Sequence, residues 1–185
     1  MGASSSNALF YLVSTLFDIY MWVLILRLIL QAVRADFYNP ISQLIWQVTQ
    51  PVLRPFQPVL PKWRWLDTAA LVLLLVVALI YIHVVGAILG YQLSLPASLQ
   101  FALLKLIVLV LNLYTFALFV QVVLSWVGPG VNNPAGNLLW VMNEPLLKPV
   151  RRVVPPLSGL DLSPLVVILA LQFVNLLIPL PGIFR

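Results

Sequence analysis

The sequence predicts an all-α membrane protein with four transmembrane helices in two parallel tandem repeats, each repeat carrying a short interfacial amphipathic helix in its intervening loop. Three observations predict it. Of 185 residues, 62% are hydrophobic and 8% charged, whereas a water-soluble globule charges about a quarter of its residues. Four apolar stretches, 8–33, 68–89, 97–127 and 162–180, are long enough as helices to cross about 30 Å of hydrocarbon. A set of breakers and caps also recurs in register. Tyr20, Asn39, Pro40, Trp46, Pro51, Leu53, Pro55, Pro61 and Asp67 are matched by Tyr114, Asn133, Pro134, Trp140, Pro145, Leu147, Pro149, Pro155 and Asp161 at a constant offset of 94 (161 − 67 = 94), with no gap. One structural unit is therefore used twice, over 8–91 and again over 97–181.

The first stretch has no basic cluster ahead of it and no small-residue cleavage site behind it, so it is expected to remain as a span rather than leave as a signal peptide. The start Met1-Gly2-Ala3-Ser4-Ser5-Ser6 fits an N-myristoylation pattern, which requires a cytosolic N-terminus. Charge placement argues otherwise. Arg34, Arg54, Lys62 and Arg64 fall between the first two stretches and Lys148, Arg151 and Arg152 between the last two, while the opposite side carries only Arg185. The positive-inside rule then puts both long loops in the cytoplasm and both termini outside, in a multi-pass arrangement in the cell inner membrane. Two spans per repeat make the copies parallel, related by a pseudo-twofold along the membrane normal.

Within each loop, Asn39-Pro40 and Asn133-Pro134 supply an N-cap and a first helical residue. Apolar residues follow at helical spacing: Ile41, Leu44, Ile45 and Val48, then Ala135, Leu138, Leu139 and Met142. Gln43, Gln47, Asn137 and Asn143 are expected on other faces, with Trp46 and Trp140 at the headgroup boundary. Pro51 and Pro145 are expected to stop these helices, and Pro55, Pro61, Pro149 and Pro155 to keep the next stretch a kinked connector. There Arg54, Lys62, Arg64, Lys148, Arg151 and Arg152 are expected to meet anionic headgroups or a partner protein. Asp67 and Asp161 then open the second span of each repeat as capping acids.

This order of elements, a span, then DFYNPISQLIWQVTQPVLRPFQPVLP and an Asp-led span, repeated as NNPAGNLLWVMNEPLLKPVRRVVPPLSGLDLSP and a further span, resembles the YggT family of integral membrane proteins. The resemblance covers nearly the whole chain. It implies a membrane protein with two such repeats. Bacterial members are linked to osmotic and potassium tolerance or to envelope and division processes, and plastid relatives to cytochrome b6 haem attachment and nucleoid distribution. It implies no defined catalytic residue.

Asp18, Arg27, His83, Lys105, Asn112, Gln121, Gln172 and Asn175 lie within the predicted spans, and ionisable groups there invite a functional reading. Counting along the helices puts Asp18, His83, Asn112 and Asn175 at a similar depth, so they form a candidate polar cluster. One reading makes Asp18 and His83 a proton or cation site; the other makes all four interhelical fasteners. Arg27 and Lys105 are expected to snorkel to opposite edges. With no cysteine and a single histidine, the chain has no thiolate metal site or CxxCH haem attachment, and it lacks a phosphate loop or nucleophile elbow. No cofactor, enzymatic activity or nucleic-acid partner is expected. The net charge of +5 sits in the loops, where membrane topology accounts for it. The reading is a non-enzymatic protein organising or assisting assembly of membrane or envelope components, with a lipid bilayer and a membrane-protein partner or homo-oligomer; the alternative is a small transporter or channel component in cation, such as potassium, or osmolyte homeostasis.

The charge asymmetry carries a direct test. A reporter fused after Arg185 should signal from the outer compartment and one inserted near Gln57 from the cytoplasm. Reversed signals would overturn the orientation and revive modification of Gly2.

Overall fold

The computed structural model describes residues 3–60, 67–127, 133–155 and 161–185. Pro61, Lys62, Arg64 and Gly2 lie outside them. Six α-helices follow in order: α1 (Ala3–Ala32), α2 (Pro40–Leu53), α3 (Thr68–Leu89), α4 (Leu95–Val127), α5 (Pro134–Arg151) and α6 (Ser163–Leu177), with a 3-10 turn at Gly182–Phe184. Among the described residues there is no strand. α1, α3 and α4 are long and apolar enough to cross a membrane.

Local chemistry sets most boundaries. α2 and α5 begin where expected, because the Asn39 side chain accepts from the Ile41 amide at 2.9 Å and Asn133 from the Ala135 amide at 3.0 Å, each followed by a proline that has no amide to satisfy. α3 starts at Asp67, which accepts from the Ala70 amide, and ends at Gly90 in the left-handed region (φ 77°). The Tyr91 amide reaches back to the Gly86 carbonyl there, the Schellman closure. α1 closes the same way, Ala35 amide to Leu30 carbonyl, but with Arg34 as the left-handed residue (φ 54°). A non-glycine side chain is strained there, and the repeat-equivalent position is Gly128.

The C-terminal boundaries of the loop helices differ from expectation. Pro51 does not stop α2, which runs to Leu53, and Pro145 and Pro149 lie inside α5, which runs to Arg151. All three prolines sit on the exposed side of their helices, so the carbonyls that lose an amide partner can be satisfied from outside the protein. Asn143 is also not on an outer face; it is buried beside Leu138, Met142 and Leu147. α6 is shorter than the expected 162–180 stretch because Pro179 and Pro181 cannot continue it. The chain beyond folds back, stacking Phe184 on Phe101 of α4 at 5.5 Å.

Each repeat packs its own pair of long helices, α1 on α3 and α4 on α6, and sets its loop helix against their ends. α3 packs on α4 to join the repeats. Two further contacts link repeat-equivalent residues or their immediate neighbours: Trp22 stacks on Phe116 (6.3 Å), and the Asn39 amide donates to the Pro134 carbonyl (2.7 Å). The expected pseudo-twofold is not realised. A twofold would set α6 on α1 just as α3 sits on α4, and α6 makes no comparable contact with α1.

Candidate functional site

The end of the bundle that carries α2 and α5 holds a polar network built on Arg27, near the last turns of α1. Arg27 is buried rather than snorkelling. Its Nη1 donates to Thr49 Oγ1 at 2.6 Å, and its Nη2 donates to Gln50 Oε1 at 3.0 Å and Asp67 Oδ2 at 3.1 Å. One guanidinium thus ties α1, α2 and the start of α3 together. The planar fork of arginine suits three acceptors on two elements, where a lysine would offer a single point charge. The Asp67 carboxylate serves the α3 amides with one oxygen and Arg27 with the other. Gln50 continues the network to Gln57 at 3.0 Å.

The second repeat keeps these positions and changes the chemistry. Gln121 and Asn143 stand where Arg27 and Thr49 do, and they too are hydrogen-bonded, Asn143 Nδ2 to Gln121 Oε1 at 2.7 Å. Glu144 and Arg151 stand where Gln50 and Gln57 do. Arg151 bonds Glu144 at 2.7 Å and Asp161 at 2.9 Å. The cation that serves the helix-opening aspartate therefore comes from α1 in one copy and from the end of α5 in the other. Asp161 also accepts from the Ser163 amide at 2.9 Å. Burial pushes the Asp161 carboxyl up, but its bonds to Ser163 and the Arg151 guanidinium outweigh this and leave it below its ordinary value of 3.8.

At the opposite side of the bundle the four polar residues predicted to share one layer divide into separate pairs. Asn175 Nδ2 donates to Asn112 Oδ1 at 2.6 Å, joining α6 to α4. Asp18 meets Lys105 instead of His83, with Nζ at 2.7 Å from Oδ1 and 2.9 Å from Oδ2. Lys105 does not snorkel; it is fully buried and its ammonium lies 4.8 Å from the centre of the Tyr81 ring. His83 is exposed, with Nδ1 2.9 Å from the Leu79 carbonyl and Nε2 3.4 Å from the Ser98 hydroxyl. Asp18 and Tyr81 are the repeat equivalents of Asn112 and Asn175 (18 + 94 = 112; 81 + 94 = 175). The same two helix positions face each other in both copies, with a lysine added to only one. Lys105 was the partner that depth counting missed; the available signal was that, besides Arg27, it is the one cation within the predicted spans.

A cavity of about 380 Å³ opens beside the Arg27 network, lined by Arg27, Gln31, Arg34, Phe37, Ser42, Trp46, Gln50, Gln57 and Asp67 among others. The Ser42 hydroxyl in it is buried and without a partner among the described residues. Phe37 packs edge-on to Trp46 at 6.0 Å, and the Arg27 guanidinium lies 5.9 Å from the Trp46 ring. The volume is that of a small-ligand site. Among the described residues no group of three or more His, Cys, Asp or Glu is placed to hold a metal ion. In the second connector Lys148 and Arg152 are exposed, as is Arg54 in the first.

Comparison with known proteins matches the CCB3/YggT family model to residues 6–88 and again to 100–181, one match for each repeat. The chain belongs to the CCB3/YggT family. An uncharacterised protein of Pseudomonas aeruginosa is 39% identical over 175 residues, covering 94% of this chain and 89% of its own. The uncharacterised protein YggT of Escherichia coli K12 is 34% identical over 170 residues, covering 92% and 88%. A chloroplastic YlmG homolog protein 2 of Arabidopsis thaliana is 40% identical over 65 residues, 34% of this chain and 24% of its own. No solved structure matches.

In this CCB3/YggT chain the Asp18–Lys105 pair should behave as a closed unit. Asp18→Asn alone leaves a buried ammonium uncompensated and should cost about 3–5 kcal/mol, whereas Asp18→Asn with Lys105→Met should recover most of that loss, read as denaturation midpoints in detergent. A double variant as unstable as the single one would show that the pair does not act alone. Asp161 sets a pH dependence. Because its folded value is depressed, the stability it contributes is present above its ordinary 3.8 and lost as pH falls through the folded value. Asp161→Asn should therefore lower Tm at neutral pH, and the gap to the parent should close as the pH drops below 3.8.

Proposed function

We propose that this chain is a non-enzymatic, four-span protein of the inner membrane that organises or assists assembly of membrane or envelope components, holding anionic headgroups and a protein partner at its cytoplasmic loop end. α6 supplies the fourth span: its 15 helical residues rise about 22 Å at 1.5 Å each, and the chain turns back just beyond it at Pro179. α2 and α5 lie at the interface, with the half-exposed Trp46 and Trp140 in the headgroup layer.

The observation that carries the organising role is the closure of the intramembrane charges on one another. Arg27 is committed to Asp67 and Lys105 to Asp18, so the ions that a conduction path would need are employed as fasteners. His83, the remaining titratable imidazole, faces outward beside Ser98. What the loop end offers instead is exposed basic charge. Arg151 is occupied by Glu144 and Asp161, which leaves Arg34, Arg54, Lys148 and Arg152 as the exposed cations among the described residues of that end, each worth about 1 kcal/mol near an acidic leaflet. The cavity lined by Arg27 and Arg34 in the first repeat suits an anionic headgroup.

Adding phosphatidylglycerol to the detergent-purified protein should raise Tm, and replacing Arg54, Lys148 and Arg152 together by Gln should reduce that rise while leaving the lipid-free Tm unchanged. Arg151→Gln should do the reverse. An undiminished lipid effect in the triple variant would remove the headgroup role, and loss of potassium or osmotic tolerance in a normally folded His83→Gln variant would favour transport over organisation.

A further inference from the structure

We propose that copies of this chain join head to tail in the membrane, α6 of one copy seating on α1 of the next in the way α3 seats on α4 within a chain. The proposal rests on the repeat relation and on which surfaces each repeat covers, and it stands apart from the cytoplasmic role above.

Within the chain, the first repeat presents its second long helix to the first long helix of the second repeat. The interface is close: Lys105 of α4 lies over the Tyr81 ring of α3, Ser98 meets His83, and Ala102, Leu113 and Ile82 are buried. The second repeat carries the same helix, α6, and the first repeat the same acceptor, α1, yet these two make no comparable contact in one chain. The consequence is visible in exposure at equivalent positions. Lys105 is 0% exposed and Tyr11, its equivalent, 72%; Leu113 is 7% and Ile19 54%; Ile82 is 0% and Leu176 73%. Leu169, Phe173 and Leu176 form a helical stripe on α6, each more than half exposed, in the place of the α3 stripe at Leu75, Leu79 and Ile82.

Lipid alone could cover any apolar face. A second copy fits these two for a specific reason, since each is the counterpart of a surface that this protein already knows how to cover, and the two are complementary to one another rather than to themselves. The α1 face even keeps the small residue, Ala8, that Ala102 contributes to the close approach on α4. The contact is heterologous, head to tail rather than self-complementary.

The chain has no cysteine, so engineered thiols report the contact without background. In native membranes, mixed populations carrying Tyr11→Cys on one copy and Leu176→Cys on another should form disulfide-linked dimers, and so should Ile19→Cys with Leu169→Cys. None of the four variants should link to itself, and Val76→Cys on the outer side of α3 should link to none of them. His83→Cys with Ser98→Cys in one chain supplies the internal control, closing within the chain without forming a dimer. Self-linking of the Tyr11 or Leu176 variants would mean a symmetric contact and overturn the head-to-tail interface. Absence of linkage at both pairs while the internal control closes would mean that lipid covers these faces.

Discussion

A hydrocarbon layer cannot solvate an isolated charge, and the helix arrangement is organised around that limit. Asp18 and Lys105 come from α1 and α4, Arg27 and Asp67 from α1 and the start of α3. Each pair satisfies a cost that neither residue could carry alone, and each can form only if its helices sit side by side. Apolar packing between helices gains little over packing against lipid tails. The polar pairs therefore select which of many comparable apolar packings is adopted, and the buried cluster around Met21, Leu24, Leu74 and Tyr81 fills in around them.

Duplication shows which parts of this arrangement the fold requires. The position pairs 27 with 49 and 121 with 143 are hydrogen-bonded in both copies, although one is Arg with Thr and the other Gln with Asn. The pairs 50 with 57 and 144 with 151 are bonded in both, once as two amides and once as an ion pair. Geometry has been retained while charge has moved. Moving the cation from α1 to the end of α5 releases the α4 position from carrying an arginine in the membrane, and it makes the second copy's lock more exposed.

Much of the fold was readable in the residues because local chemistry fixed it. The Asn-Pro starts of α2 and α5 and the aspartate ahead of α3 act over a few residues, and these starts were found. The ends of α2 and α5 were not, because a proline breaks a helix only if the orphaned carbonyl has nowhere to turn, and that depends on which side faces out. The site was less legible. The Asn112 and Asn175 pair follows from depth along the helix, but the Lys105 partner of Asp18 does not, since a long side chain offsets its charge from its backbone level. Arg27 was misjudged for a related reason: its length allows escape to the interface, and only the Thr49, Gln50 and Asp67 acceptors explain why it turns inward.

The span between Asp18 and Lys105 also has a temporal meaning. The two are 87 residues apart, and at roughly 5–20 residues per second of synthesis the lysine emerges about 4–17 s after the acid. The first repeat can complete its Arg27–Asp67 lock from its own sequence in that interval. Asp18 cannot. The first helix must therefore be accepted by the membrane with its acid unmatched, either held shallow or carrying a proton, until α4 is made. The last long-range ion pair to close is thus also the signal, written in charge, that α4 has reached the first repeat.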